Sequence, residues 1–169
     1  PWVIKPIWSP FVDLIRTKRW WIYAMQLLIG AGMAGVAFTL PGDLFLRCTL
    51  AFFWLMAFSS ATHDIAADGF YMLGLDEEQQ AFGIRNTFYR VAMLTGQGLL
   101  VMLAGYLEQT TGRIAFAWSL VFFVLAGSFI GLALYHKYIL PKPAVDVSRS
   151  NITPATILTE FGKTFVTFF

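Results

Sequence analysis

Four long apolar runs, separated by short polar clusters, dominate the chain. The first runs from about Trp20 to Leu40 and ends in Pro41-Gly42-Asp43, which is turn chemistry. At 1.5 Å per residue, about twenty helical residues span roughly 30 Å, the thickness of a hydrocarbon core. The second runs from about Leu44 to Leu75, longer than a membrane needs, so it is expected to tilt or protrude. After the polar cluster Asp76-Glu77-Glu78-Gln79-Gln80 comes a third run, about Phe82 to Leu107, closed by Glu108-Gln109-Thr110-Thr111-Gly112. The fourth runs from about Ile114 to Leu140 and is closed by Pro141-Lys142-Pro143. Loops of roughly three to seven residues force neighbouring helices to be antiparallel. The pattern predicts an all-α, polytopic transmembrane bundle over residues 1–142, followed by a cytoplasmic linker over 143–169.

Within that linker, Pro143 to Asn151 is polar, and Thr153-Pro154 supplies an N-cap and a first-turn proline. Ile157, Phe161, Phe165 and Phe168 then recur at helical spacing, with Glu160 and Lys163 off the stripe. This predicts an amphipathic helix on the cytoplasmic surface, leading toward a further span. Asn151-Ile152-Thr153 matches a glycosylation sequon that would not be used on that side. The sequence opens at Pro1 inside an apolar stretch, without a basic n-region or a cleavage site, and stops at Phe169 inside another. It is therefore expected to be a fragment of a longer chain.

Composition sharpens the class. Of the 169 residues, 57% are hydrophobic, 13% are charged, and the mean hydropathy is +0.64. A soluble domain carries about 25% charged residues. The partner implied is the lipid bilayer, and a net charge of +2 is too small to suggest a nucleic acid. One cysteine, Cys48, excludes an internal disulfide and a cysteine-based metal cluster. No metal-ligand spacing, nucleophile–base pair or phosphate loop appears, and Gly96-x-Gly98 falls mid-helix. No catalytic residue, metal or cofactor is expected, and the chain does not read as an enzyme.

Basic residues orient the bundle. Arg16, Lys18 and Arg19 precede the first span, and Lys137, Lys142 and Arg149 follow or close the fourth. Arg85 and the 76–80 turn fall on the same side, whereas the other side has only Arg47 and Arg113, so the first set is cytoplasmic. Trp20, Trp21, Tyr23, Tyr135 and Tyr138 suit an interfacial aromatic belt on that side. Gly30 with Ala34, Ala31 with Gly35, and Gly127 with Gly131 are small-xxx-small pairs, read as packing devices rather than chemistry.

The informative residues are charges placed within the bilayer. Ser60, Asp64 and Asp68 recur every fourth residue and share one face of the second span, with His63 beside it. Asn86, Arg90 and Gln97 share one face of the third. Antiparallel pairing about a midpoint near residue 78 sets Arg90 between Asp64 and Asp68, roughly 15 Å into the helices. Two acids and an arginine at one level can largely neutralise each other. The cluster is either a structural lock or the lining of a polar pathway for solute and protons. Intramembrane ionisable groups are costly and mark pathways, which favours the second. For His63 alone, a hydrogen-bonded packing role is the commoner case. One arginine cannot satisfy two carboxylates, so one acid is expected to carry a proton. Asp64 lies a turn deeper and is assigned that role, with Asp68 as the partner of Arg90.

Ala61-Thr62-His63-Asp64-Ile65-Ala66-Ala67-Asp68-Gly69 resembles the A-T-Q-D-I-A-x-D-A/G segment of AmpG-type muropeptide permeases, members of the major facilitator superfamily related to acetyl-coenzyme A transporters. Tyr89-Arg90-Val91-Ala92-Met93-Leu94 resembles the family's Y-R-x-G-M-L stretch, and Trp8-Ser9-Pro10-Phe11-Val12-Asp13 its W-x-P-x-x-D loop. Lys5-Pro6 fits the K-F/P-x-W pattern loosely; His63 replaces Gln, and Ala92 replaces Gly. The resemblance covers nearly the whole chain and makes it an N-terminal-half fragment, its four spans family helices three to six with the tail of helix two at the start and the central linker at the end, and the C-terminal half of the same protein its partner. It implies two pseudo-symmetric halves, rocking-type alternating access, and proton-coupled import of muropeptides across the bacterial inner membrane. It also makes Asp13, Arg16 and Arg19 a gating loop. The rival reading is a non-transporting membrane domain, a lipid-modifying enzyme or assembly partner whose buried charges lock its helices.

Overall fold

The computed structural model describes residues 5–74 and 84–147 and, in the tail, Ala155, Leu158, Thr159, Gly162, Lys163 and Val166. The side chains of Pro6, Ile7, Asp13 and residues 84–88 fall outside that description. The helices are α1 (Lys5–Ile15), α2 (Lys18–Thr39), α3 (Phe45–Gly74), α4 (Ile84–Leu94), α5 (Val101–Thr111) and α6 (Ile114–Ile139). A π-helical segment, Thr95–Leu100, joins α4 to α5 without a break, so these three form one long span. No strand occurs among the described residues. Four helices are long and apolar enough to cross a membrane: α2, α3, Tyr89–Thr111 and α6. Their limits fall close to those expected from the hydrophobic runs. The 30-residue α3 is about 45 Å long, which exceeds a hydrocarbon core as expected.

Local chemistry sets the ends. Thr17 is the N-cap of α2, its hydroxyl accepting from the Trp20 N–H (3.2 Å), and Pro41-Gly42 ends the helix past Leu40. Gly112 adopts φ +66° and donates to the Glu108 carbonyl (2.8 Å), a left-handed cap that closes α5. Along the spans, Thr39, Ser59, Thr62, Thr95 and Ser128 turn their hydroxyls back onto carbonyls three or four residues earlier. In an apolar surround that is how a hydroxyl is satisfied.

Helix α2 is the hub, the most buried of the four long helices, packed on α3 along one side and on α6 along the other. Small residues permit both approaches. A Cβ added at Gly30 would meet the Ala126 carbonyl and Ile130 of α6 at 3.0–3.2 Å, and one at Gly35 would stand 2.4 Å from the Phe52 ring of α3. Gly32, not among the expected pairs, does the same against Met56. Between α2 and α6, the buried Ser119 hydroxyl donates to the Ala37 carbonyl (2.8 Å), giving that apolar seam a fixed register. Gly127 and Gly131 differ from expectation: nothing lies within 4 Å of a Cβ added at either. Their face of α6 points away from α2, which claims Ala126, Ala133 and Val121 instead.

The third span leans on α6 through α5. Among the described residues it has no extended packing on α3, whose neighbours are α2 and α1. The hairpin turn at 76–80 lies outside the described residues. So do Ile157, Phe161, Phe165 and Phe168 of the tail stripe; the tail residues that are described are helical and exposed.

Helix α1 runs parallel to α3. Trp8 packs on Phe58 with ring centroids 5.5 Å apart, and Val12 joins Ala66, Phe70 and Ile22 in a small buried core. The start of α2 meets the end of α6, so both basic flanks lie at one end of the bundle, as the charge distribution required.

Candidate functional site

Asp64 projects from α3 about ten residues, roughly 15 Å, before its C-terminal end. Its carboxylate pairs with the Lys5 ammonium of α1. The two side chains are about three-quarters buried, with 22% and 29% of their surface exposed. The packing of α1 on α3, through Trp8 against Phe58 and Val12 in one core with Ala66 and Phe70, holds Lys5 within reach of the acid face.

Arg90 does not serve as the countercharge. It is exposed, and no ion pair with either acid forms among the described residues. The hairpin count assumed that α3 and the third span pack along their length. The third span instead leans on α6, which carries Arg90 away from the acid face. Gln97 sits in the π-helical segment and is likewise exposed, and the Asn86 side chain lies outside the description. Ser60 and Asp68 are half-buried on the acid face with Asp64.

His63, one position from Asp64, is half-buried, and its Nε2 is enclosed without a hydrogen-bond partner. It lines a cavity of about 330 Å³ together with Ile22, Phe70, Tyr71, His136 and Leu140. His136 of α6 donates from Nδ1 to Oε1 of the buried Gln26 of α2 (2.9 Å), which orients its ring. Two histidines from two helices therefore border one largely apolar chamber, near the end of the bundle that carries the basic flanks. A burial of this kind is expensive for an ion and inexpensive for a neutral imidazole.

Sequence reasoning missed Lys5, Gln26 and His136. Lys5 was noted only as a loose motif match, although a lysine one helix turn before Trp8 is the natural partner for an acid on a parallel helix. Gln26 is an amide inside the first apolar run, and His136 an imidazole in the last turn of the fourth. Polarity in those places was the available signal.

Two of the residues expected to form a gating loop make defined contacts. Arg19 donates from Nε to the Leu140 carbonyl (3.1 Å) and from Nη2 to the Lys137 carbonyl, so it caps the C-terminus of α6. Arg16 lies over the Trp20 ring, 5.7 Å from its centroid. Asp13 sits in the last turn of α1, with its side chain outside the description. Gly69, next to Asp68, leaves the notch through which Lys18 passes: a Cβ there would be 2.4 Å from the lysine Cε.

Comparison with known proteins decides the family, because a model described as the BT1 family matches residues 1–161. The chain belongs to the BT1 family. Two curated relatives, the anhydromuropeptide permeases of Escherichia coli strain K12 and of Escherichia coli O157:H7, are each 34% identical to it over 110 residues. Those residues are 61% of this chain and 22% of each relative, so this BT1-family chain spans only a fraction of their length. No solved structure gives a significant match. With four apolar helices, the chain is a multi-pass membrane protein.

Proposed function

We propose that this chain forms helices three to six of a secondary transporter of the major facilitator type, which imports muropeptides or a related small polar solute across the bacterial inner membrane. The observation that carries the proposal is the Lys5–Asp64 pair inside the bundle, with Asp68 on the same face and a cavity beside His63. An ion pair at that depth is costly for a membrane domain with nothing to conduct. BT1 membership and the named activity of the two relatives support the choice of solute.

Transport proceeds by alternating access, with this bundle rocking against the remainder of the protein. Asp64 is the proton-linked acid: protonation removes the charge that holds Lys5, loosens α1 from α3, and couples the proton to movement. Asp13, ending α1 at the basic flank, controls opening on the cytoplasmic side. The direct contact between Lys5 and Asp64 also suits the second reading, a lock in a membrane domain that transports nothing.

Uptake by the full-length protein in proteoliposomes separates the two. An inward proton gradient is expected to drive saturable accumulation of an anhydro-muropeptide. Accumulation no greater than in protein-free liposomes would leave the lock.

A further inference from the structure

In the first turn of α2 the N–H groups of Lys18, Arg19 and Trp20 have no carbonyl partner inside the helix, whose first internal bond runs from the Trp21 N–H to the Thr17 carbonyl (3.2 Å). The Thr17 hydroxyl accepts from Trp20 (3.2 Å). Lys18 and Arg19 are satisfied from the far end of the chain. The Asp146 carboxylate accepts from the Lys18 N–H through Oδ1 (2.7 Å) and from the Arg19 N–H through Oδ2 (3.1 Å). Asp146 belongs to the segment that follows α6, where Pro141 and Pro143 stop the helix and a turn closed by Asp146 N–H to the Pro143 carbonyl (3.1 Å) presents the carboxylate.

The same junction is tied in reverse. Arg19, whose backbone binds Asp146, sends its guanidinium to the Lys137 and Leu140 carbonyls at the end of α6. An acid thus sits on the positive end of α2 and a cation on the negative end of α6, each supplied by the other helix's flank. Both placements are electrostatically favourable at helix termini. A purely local cap would need only Thr17. A carboxylate that bridges two N–H groups from about 128 residues away, answered by an arginine in the opposite sense, is a two-sided fastening.

We propose that the segment following α6 is a strap, latched by Asp146 onto the start of α2. The latch fixes the point from which the chain leaves this bundle at the rim of α2, not at the end of α6. Movement of the two parts of the protein then pulls on α2 directly, and Arg19 acts as the reciprocal half of the latch rather than as a mobile gate. The proposal stands independently of solute and proton coupling.

The test is a distance measurement in the full-length protein in lipid, by double electron–electron resonance. Spin labels replace Val147, beside the latch, and Arg47, exposed at the opposite end of the bundle, on a background without other cysteines. A single narrow distance distribution is expected. Asp146→Ala is expected to lose the narrow peak, and Arg19→Gln to broaden it, while Lys142→Ala leaves it intact. A broad distribution in the parent, or a narrow peak that survives Asp146→Ala, overturns the latch. Should Asp146→Ala elute as aggregate, Asp146→Asn is read instead. It keeps an acceptor oxygen, so a peak of intermediate width is expected, and a width equal to the parent's overturns the proposal.

Discussion

At the scale of single residues, the charge of Asp64 is answered by Lys5, and the consequences can be separated by substitution. Removing one member of a desolvated pair leaves the other uncompensated, whereas replacing both with apolar residues of similar volume is often neutral. Lys5→Met alone is expected to lower the melting temperature of the detergent-solubilised full-length protein. Lys5→Met with Asp64→Leu is expected to recover most of the loss. The cost of the single change is about 1–3 kcal/mol, below the fully buried range, because both side chains keep part of their solvent exposure. Equal destabilisation by the single and double variants would mean that the contact contributes no coupling. The acids themselves were legible in the sequence: Asp64 and Asp68 four apart, within an apolar run, can be there only with partners. Their partner was not. Counting along a hairpin assumes that consecutive helices pack along their length, and here α3 chooses α1 and α2. Lys5 lies 59 residues from Asp64, and nothing local in the sequence measures that approach.

At the scale of the helices, α2 is held by close contact on two sides, and its glycines set the distance. Gly35→Ala places a methyl group inside the Phe52 ring of α3 and is expected to cost about 1–3 kcal/mol, measured as a fall in thermal midpoint. Gly131→Ala, on the open face of α6, is expected to cost no stability within this bundle, since nothing stands within 4 Å. A larger loss at Gly131 than at Gly35 would show that the tight seam had been misplaced. The four spans and the shared end of the two basic flanks were readable from apolar run length and charge. Which glycines pack was not, because small-xxx-small spacing marks a face of a helix without naming the neighbour. In α2 the face with Gly30 met α6 and the face with Gly35 met α3; in α6 the GxxxG face met neither. The role of Arg19 escaped for a similar reason. A basic residue at a membrane boundary satisfies the topology rule wherever its side chain goes, and only the position of the α6 carbonyls shows that Arg19 caps that helix.

At the scale of the whole molecule, this BT1-family chain leaves large apolar surfaces uncovered. Phe38, Trp54, Met102 and Tyr138 are each more than 60% exposed, which lipid or further protein must cover. Expressed alone, residues 1–169 are therefore expected to aggregate in plain buffer and to stay dispersed only in detergent or lipid; a monodisperse preparation in buffer would contradict a membrane bundle. The central claim is that the acid held by Lys5 couples protons to solute movement. It is tested most directly by comparing Asp64→Asn with Asp68→Asn in the full-length protein, at matched expression, for gradient-driven uptake and for solute exchange. The account predicts that Asp64→Asn folds, loses accumulation against a gradient and keeps exchange. Full gradient-driven uptake by Asp64→Asn would contradict it, whatever the behaviour of Asp68→Asn.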